Sequence, residues 1–355
     1  MSKKILVITP KITNNGITAV INSILENNDD YDFTLAGEFF DNAPEIPAYV
    51  NTLKLPPQEK PSAYYRAIKK AAREGGYDAA YIHGNNALMF LETLAVKAGG
   101  ISKVIAHCHN SSAVHKAAHH ILKPIFNSLV SCKIACSEVS AKWAYNGKDV
   151  IIIPNGIDAG QVSFDAKRRA EIRMKLGLSD DCIMIGNFGR PSVQKNQTFI
   201  LDILKEVLKI GADVRLIMFG RRGDYPTLDE MIKGSGIENK VIMLLPEEYS
   251  LEWYNALDAM LMPSIFEGLS LCAIEAQANG LPLIISDHLS PETYATKYSV
   301  KESLGSSAAK WAETMLNAID TLPRGEDMRG EIREAGLTEE IMLSEISKVI
   351  YECVG

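Results

Sequence analysis

Residues 259–286 read AMLMPSIFEGLSLCAIEAQANGLPLIIS, and this stretch decides the fold. Ala259–Pro263 is a short apolar run closed by a proline. Leu271–Asn279 carries apolar residues at helical spacing, and Leu283–Ser286 is a second apolar run. Two short buried strands joined through one helix form a parallel crossover unit. Parallel sheets are covered on both faces, so their strands read as continuous apolar runs rather than alternating ones.

The same pattern continues outward. Strand candidates precede this unit at Cys182–Asn187, Val214–Gly220 and Val241–Leu245, with helical spacing at Asn196–Ile210, Leu228–Gly234 and Leu251–Leu257. Further back, Ile153-Pro154-Asn155-Gly156-Ile157-Asp158 is a turn-forming run. Before it lie strand candidates at Lys4–Thr9, Asp32–Ala36, Asn51–Leu55, Ala79–His83, Lys103–His107, Lys133–Cys136 and Val150–Ile153. Helical patterns separate them at Gly16–Leu25, Ser62–Glu74, Ala87–Ala98 and Ala113–Leu129. The expected fold class is α/β, with two doubly wound Rossmann-like domains at 1–155 and 156–335. Ser306–Leu322 and Glu339–Cys353 are amphipathic helices, and the last, within 336–355, is free to cross back onto the first domain.

Composition narrows the function. The chain has 355 residues, 46% hydrophobic and 23% charged, an ordinary globular balance that excludes a fibre or a disordered tail. No apolar run approaches the ~18–20 residues of a membrane span. Lys3 and Lys4 precede an apolar run that Pro10 and Lys11 cut, so no signal peptide is read there and a cytoplasmic location is expected. The six cysteines contain no CxxC pair and read as buried thiols. A net charge of −7 argues against a nucleic-acid partner. Residues 1–155 hold 16 basic and 13 acidic side chains, against 21 and 31 in the remainder. The mildly basic first half suits an anionic substrate or lipid surface.

In doubly wound sheets ligands bind beyond the carboxyl ends of the strands, so the residues following each strand are the site candidates. After the first strand, Asn14-Asn15-Gly16-Ile17 is either a simple strand–helix turn or a backbone donor for an anion; it lacks the G-x-G-x-x-G dinucleotide fingerprint. After the fifth, Ala106-His107-Cys108-His109-Asn110 places His107 and His109 on one side. As a metal pair they lack an assured third ligand, so no metal is expected; His109 and Asn110 would open onto the cleft, and His107 reads as structural. Lys116, His119, His120 and Lys123 read as a solvated or membrane-facing stripe. Arg190 and Lys195 flank a loop that opens a helix, and suit a diphosphate or are ordinary surface cations. Gly268 relieves crowding before a helix whose first amides, near Ser270 and Leu271, could meet a phosphate. Glu275 lies among Leu271, Ala273, Ile274, Ala276 and Ala278, where a carboxylate needs donors; sugar hydroxyls or a structural salt bridge would both serve.

Glu267 and Glu275 form an E-x7-E pattern. With the NNGI loop, AHCHNS, ACSEVSAKW (Ala135–Trp143), IPNGID, NFGRPSVQKN and PSIFEGLSLCAIEAQANGLPLIISD, the chain resembles retaining glycosyltransferases of the GT-B fold, family-4 type, nearest to the bacterial capsular and exopolysaccharide group. The resemblance implies two Rossmann-like domains facing across a cleft, the first on the acceptor side and the second holding the donor. It implies transfer of a sugar, with retention, from a nucleotide-diphosphate sugar, most simply a UDP-sugar, to a saccharide or lipid-linked saccharide acceptor in cell-surface polysaccharide synthesis. Glu267 would bind donor-sugar hydroxyls and Glu275 the ribose. Arg190 and Lys195 would hold the diphosphate, with Gly16, Ile17, Gly268, Leu269, Ser270 and Leu271 lining the donor, and His109 and Asn110 would reach the donor sugar. No metal or other cofactor is implied, and peripheral contact with the inner face of the membrane stays open.

Three stretches depart from the family pattern: Arg221-Arg222 after the second strand of the later domain, Leu245-Pro246-Glu247 after its third, and Asn187 where a histidine or small apolar residue is commoner. They bear on which base and sugar are used. Competing readings are a nucleotide-sugar epimerase or phosphorylase on the same fold, and a non-enzymatic sugar-binding protein.

Overall fold

The structure, a computed structural model, describes residues 2–28, 30–40, 43–112, 116–145, 149–179, 181–221 and 223–355. The chain divides into two compact units, Met1–Gly156 together with Glu339–Gly355, and Ile157–Thr338.

The first unit is built on β1 (Lys3–Ile12), β2 (Tyr31–Phe39), β3 (Asn51–Lys54), β4 (Ala79–Gly84), β5 (Lys103–Cys108), β6 (Cys132–Ala135) and β7 (Ile151–Ile152). All pair in parallel, in the order β3-β2-β1-β4-β5-β6-β7. Helices α1 (Gly16–Glu26), α2 (Pro61–Glu74), α3 (Phe90–Ala98), α4 (Lys116–Leu129) and α5 (Glu138–Tyr145) connect the strands. Side-chain alternation along β1 divides the core. Leu6 and Ile8 face α2 and α3, whereas Ile5 and Val7 face α1.

The second unit begins with α6 (Ala166–Lys175). It continues through β8 (Ile183–Asn187), α7 (Gln197–Lys209), β9 (Val214–Phe219), α8 (Pro226–Ile232), β10 (Val241–Leu244) and α9 (Trp253–Ala256). Then come β11 (Ala259–Met262), α10 (Leu271–Ala278), β12 (Leu283–Ser286), β13 (Ser299–Glu302), α11 (Ala308–Thr321) and α12 (Arg329–Glu334). Its sheet is parallel in the order β10-β9-β8-β11-β12-β13. The closing helix α13 (Glu339–Val354) packs in the first unit, where Met342, Ile346, Val349 and Ile350 join the core beside α1. At about 1.5–3 kcal/mol per buried side chain those four contribute on the order of 6–12 kcal/mol, an upper bound. Glu339 caps the contact by accepting from the Ser23 hydroxyl.

The sequence reading omitted α5, α6, α12 and β13. Strand β13 is polar along Ser299–Glu302 and sits at the sheet edge, so it lacks the apolar run of a central strand. Helix α6 is strongly charged; Arg173, buried, reaches Asp258 at 3.1 Å, and Asp258 also accepts from the Met184 amide at 2.7 Å. That network ties the helix to the amino ends of β8 and β11, opposite the candidate site.

Candidate active site

In each sheet the winding direction reverses once, between β1 and β4 and between β8 and β11. A crevice opens at such a switch point. In the second unit the loops after β8 and β11 are stitched together there. The Asn187 amide, fully buried at the end of β8, donates to Leu261 O at 2.8 Å, aligning the two strand ends. Ile265 N donates to Gln194 O at 2.9 Å, and Asn196 Nδ2 to Pro263 O at 3.2 Å. Gln197, buried at the start of α7, accepts from Ser192 N at 3.1 Å and donates to Arg190 O at 3.4 Å, curling the loop around itself. Asn196 takes the left-handed conformation, φ 56°, to turn into the helix. Gly189 has φ 135°, and a Cβ there would stand 2.9 Å from Lys195 Cε, so glycine leaves the lysine its room.

This stitching brings Lys195 and Glu267 into contact, Nζ to Oε1 at 2.8 Å. Gln194 Nε2 holds the other carboxylate oxygen at 3.1 Å. Both ion-pair side chains are largely buried. Burial alone would weaken the charge on Lys195, but Glu267 beside it outweighs that and holds the ammonium pKa above its ordinary value. Arg190, by contrast, points out exposed, and among the described residues it makes no ion pair. The sequence reading treated Arg190 and Lys195 as one cationic pair; the structure pairs Lys195 with the acid instead.

Gly268, Leu269 and Ser270 are buried and lead into α10. Ser270 gives no side-chain cap, and the intrahelical bonds start only at Ala273 N and Ile274 N, both to Ser270 O. The amides of Leu271 and Cys272 therefore have no acceptor within the helix. One turn on, Glu275 Oε2 accepts from Tyr254 Oη at 2.6 Å and from Tyr249 Oη at 3.1 Å. Burial raises the pKa of Glu275, and the two hydroxyls counteract it. These tyrosines, which sequence reasoning missed, come from α9, inside the helical pattern read at Leu251–Leu257, and from the loop before it; the pattern marked the helix but not its partner Glu275.

In the first unit Gly16 opens α1 and is exposed, with Ile17 half-buried behind it. Asn15 Oδ1 accepts from Thr18 N at 3.0 Å and caps the helix. Asn110 is half-buried, its side chain accepting from Ser111 N at 2.8 Å. His109 needs a correction: it does not open outward but is 8% exposed, with Nε2 3.0 Å from His83 Nδ1. His107, structural as expected, is fully buried with Nδ1 3.0 Å from Tyr81 Oη. Burial pushes all three histidines toward the neutral form, His109 down to about 3, with a hydrogen bond to Asn155 acting the other way there. His83 is the third imidazole that the sequence pair lacked; its signal was the β4–β5 register, which sets it opposite His107.

The stripe read along α4 is also corrected. His119 and Lys123 face inward: Ala87 N donates to His119 Nδ1 at 3.1 Å, and Lys123 Nζ donates to Lys142 O at 2.8 Å. The His119 ring stacks on Trp143 with centroids 3.7 Å apart. Lys116, His120, Ile121 and Ile125 form the exposed face instead. Arg221 is bound to Glu247, and Arg222 lies outside the described residues.

Residues 179–321 match the family model described as glycosyl transferases group 1. EpsF of Bacillus subtilis, which carries the name of a glycosyltransferase, is 27% identical over 274 residues, covering 74% of this chain and 71% of that protein. The structure of HepE from Anabaena, solved with UDP and glucose, superposes with TM-score 0.79 at 17% identity, over 98% of this chain and 99% of that one. The protein is a GT-B glycosyltransferase. The transferase is also similar to UDP-Gal:alpha-D-GlcNAc-diphosphoundecaprenol alpha-1,3-galactosyltransferase of Escherichia coli, 25% identical over 63% of this chain and 60% of that protein. The matched family segment contains Lys195, Glu267 and Glu275 and both stitched loops, so the comparisons and the geometry meet on the same part of the second unit.

Proposed function

We propose that the transferase moves a sugar, with retention, from a UDP-sugar to a saccharide or lipid-linked saccharide acceptor in cell-surface polysaccharide synthesis. The observation that carries this reading is the pairing of Lys195 with Glu267 at the switch point of the second unit, beside the uncapped start of α10. The relatives support it. The Escherichia coli protein is named for a UDP-galactose donor and a diphospholipid-linked acceptor, and HepE was solved with UDP and glucose.

Each group then has a role. Glu275 accepts from ribose hydroxyls through the oxygen its two tyrosines leave accessible. Glu267 accepts from hydroxyls of the donor sugar. The Leu271 and Cys272 amides, Arg190 and Lys195 take up charge on the leaving diphosphate, in the manner of preorganised donors that need no rearrangement as charge develops. Gly16 and Ile17 offer backbone to the donor, and Asn110 acts at its sugar together with the small part of His109 that burial leaves exposed. No enzyme carboxylate serves as nucleophile; the leaving phosphate oxygen receives the acceptor proton on the face where the new bond forms. No metal is required.

Among the described residues no helix is long and apolar enough to cross a membrane. Action at the cytoplasmic face of the membrane is part of the proposal, supported by the exposed Ile121 and Ile125 beside Lys116 on α4.

The test is a thermal-shift panel of UDP, GDP and ADP with their sugar conjugates, in EDTA, followed by transfer assays on the stabilising donor. A ligand that binds only the folded state raises its melting temperature. Stabilisation by UDP and its conjugates, kept in EDTA and lost in Glu275→Ala, is the expected result. Stabilisation by another nucleotide refutes the UDP assignment, and activity that returns only with Mg²⁺ refutes the metal-free mechanism.

A further inference from the structure

Three imidazoles of the first unit converge at the carboxyl ends of β4 and β5. His83 on β4 and His107 on β5 are register partners, and His109 extends the ladder by donating its amide to Gly84 O at 2.9 Å. The ring centroids lie 4.0 Å apart for His107–His109, 5.3 Å for His83–His109 and 5.4 Å for His83–His107. The His83–His109 bond and the Tyr81–His107 bond occupy one nitrogen of each ring. Nε2 of His83 and Nε2 of His107 remain buried with no hydrogen-bond partner among the described residues, and both residues are fully buried. Each such orphan costs on the order of 1–3 kcal/mol, so two on neighbouring strands, facing a third imidazole, call for a ligand.

One ring nitrogen from each of the three residues lies within 4.8 Å of the others. Three neutral imidazoles are a donor set that first-row transition metals take up with one position left open. Zn–N bonds of about 2.0–2.1 Å in tetrahedral geometry set the nitrogens about 3.4 Å apart. From a spread of at most 4.8 Å, binding draws the nitrogens together by up to about 1.4 Å. Tyr81 holds Nδ1 of His107, as outer-shell partners of metal-bound histidines do, and leaves Nε2 as the nitrogen that can ligate. Cys108 alternates to the opposite face of β5, so the set is all-nitrogen.

We propose that His83, His107 and His109 form a binding site for a divalent transition metal of the zinc type, and that filling it withdraws His109 from sugar transfer. The site is inhibitory, and this second half rests on the role given above to His109. The ion takes one nitrogen from each ring and the imidazoles bind neutral, so no proton is released.

The experiment uses the full chain, stripped with EDTA and exchanged into metal-free buffer, titrated with Co²⁺ as a visible probe and with Zn²⁺ in competition. One equivalent of Co²⁺ with tetrahedral d–d bands and no thiolate charge-transfer band is expected, displaced by Zn²⁺. His107→Ala and His83→Gln each weaken binding at least tenfold, while His120→Ala, on the exposed face of α4, leaves it unchanged. X-ray absorption of the wild-type Zn²⁺ form, which depends on no variant folding, shows nitrogen neighbours only. Absence of stoichiometric binding, sulfur in the first shell, or titrations unmoved by both variants overturns the site. Transfer assayed on the same samples separates the two claims. Three-imidazole binding with undiminished transfer keeps the metal site and refutes the role of His109.

Discussion

Replacing Tyr254 by phenylalanine removes one oxygen and leaves the packing intact, because the buried ring keeps its edge contact with Phe188 at 4.8 Å between centroids. What is lost is the 2.6 Å hydrogen bond to Glu275, the shorter of the two that steady this carboxylate, and a long 3.4 Å contact with the Tyr249 hydroxyl. A hydrogen bond to a charged group is worth about 1.5–3 kcal/mol, and one pKa unit corresponds to about 1.4 kcal/mol. Burial already lifts Glu275 above its ordinary range, and the tyrosine hydroxyls work against that. Tyr254→Phe therefore raises its pKa further. A protonated Glu275 cannot accept fully from ribose hydroxyls, so kcat/KM for the donor falls about 10–100-fold on the acid side and recovers as pH rises. The assay is initial-rate transfer against pH at saturating acceptor, with wild type, Tyr254→Phe and Tyr249→Phe in parallel. The acid limb of Tyr254→Phe should move to higher pH, and that of Tyr249→Phe by less, its bond being longer. An acid limb that coincides with wild type, whether or not the plateau drops, would refute the reasoning.

Three further outcomes follow from the same geometry. Lys195→Met leaves Glu267 without its cation; for a pair this buried the loss approaches the ~3–5 kcal/mol of a broken buried ion pair. Urea unfolding should show that loss recovered in Lys195→Met/Glu267→Gln, while transfer stays lost in both. Glu92, buried on α3 and accepting from Gln58 Nε2 at 3.1 Å, has its pKa raised by burial to about 7. In the unfolded chain it ionises near its ordinary value, so between the two the folded state binds the extra proton and stability falls as pH rises. The fall totals about 3 kcal/mol and levels off above pH ~7; Glu92→Gln should remove this slope, and a slope unchanged in the variant would show that another group carries it. Asn187→Ala removes the bond to Leu261 O; it should cost about 1–3 kcal/mol in chemical unfolding and raise the donor KM as the loops lose alignment. A normal KM would separate that bond from the site.

The alternation of apolar runs and helical spacing revealed both sheets, because central parallel strands advertise themselves by being apolar on both faces. Edge strand β13, half-buried and with Lys301 exposed to water, had no such signature. At the site, residue types were legible and partners were not. Glu267, Lys195 and Glu275 stood out by chemistry and by their place after strands. That Lys195 answers Glu267 rather than acting with Arg190 depends on a Gly189 conformation and on Asn196 bonding Pro263 O. The α4 histidines show the same limit. A mixed Lys/His pattern reads as solvated, yet His119 is sealed against Trp143 and its ring nitrogen serves the Ala87 amide. His83 escaped notice because a lone histidine closing an apolar strand gives no signal until β5 sets another beside it.

Asn187 shows how a departure from the family pattern reshapes such a site. A small apolar residue at the end of β8 has no side-chain donor to replace the amide that reaches Leu261 O from a fully buried position. Here the amide links the strand that launches the Lys195 loop to the strand that launches the Glu267 loop. The ion pair is thereby held by the fold before any donor arrives, and Gln194, steadying Glu267 from the same loop, reinforces it. Preorganisation of this kind carries a cost in stability, since buried charges must be matched to be tolerated. It also lowers the reorganisation needed when a diphosphate carries charge into the site. The two effects share one set of residues. Variants that relax the pair should therefore gain stability only by losing transfer, and Lys195→Met/Glu267→Gln, which removes both charges at once, is the variant in which the two effects separate most cleanly.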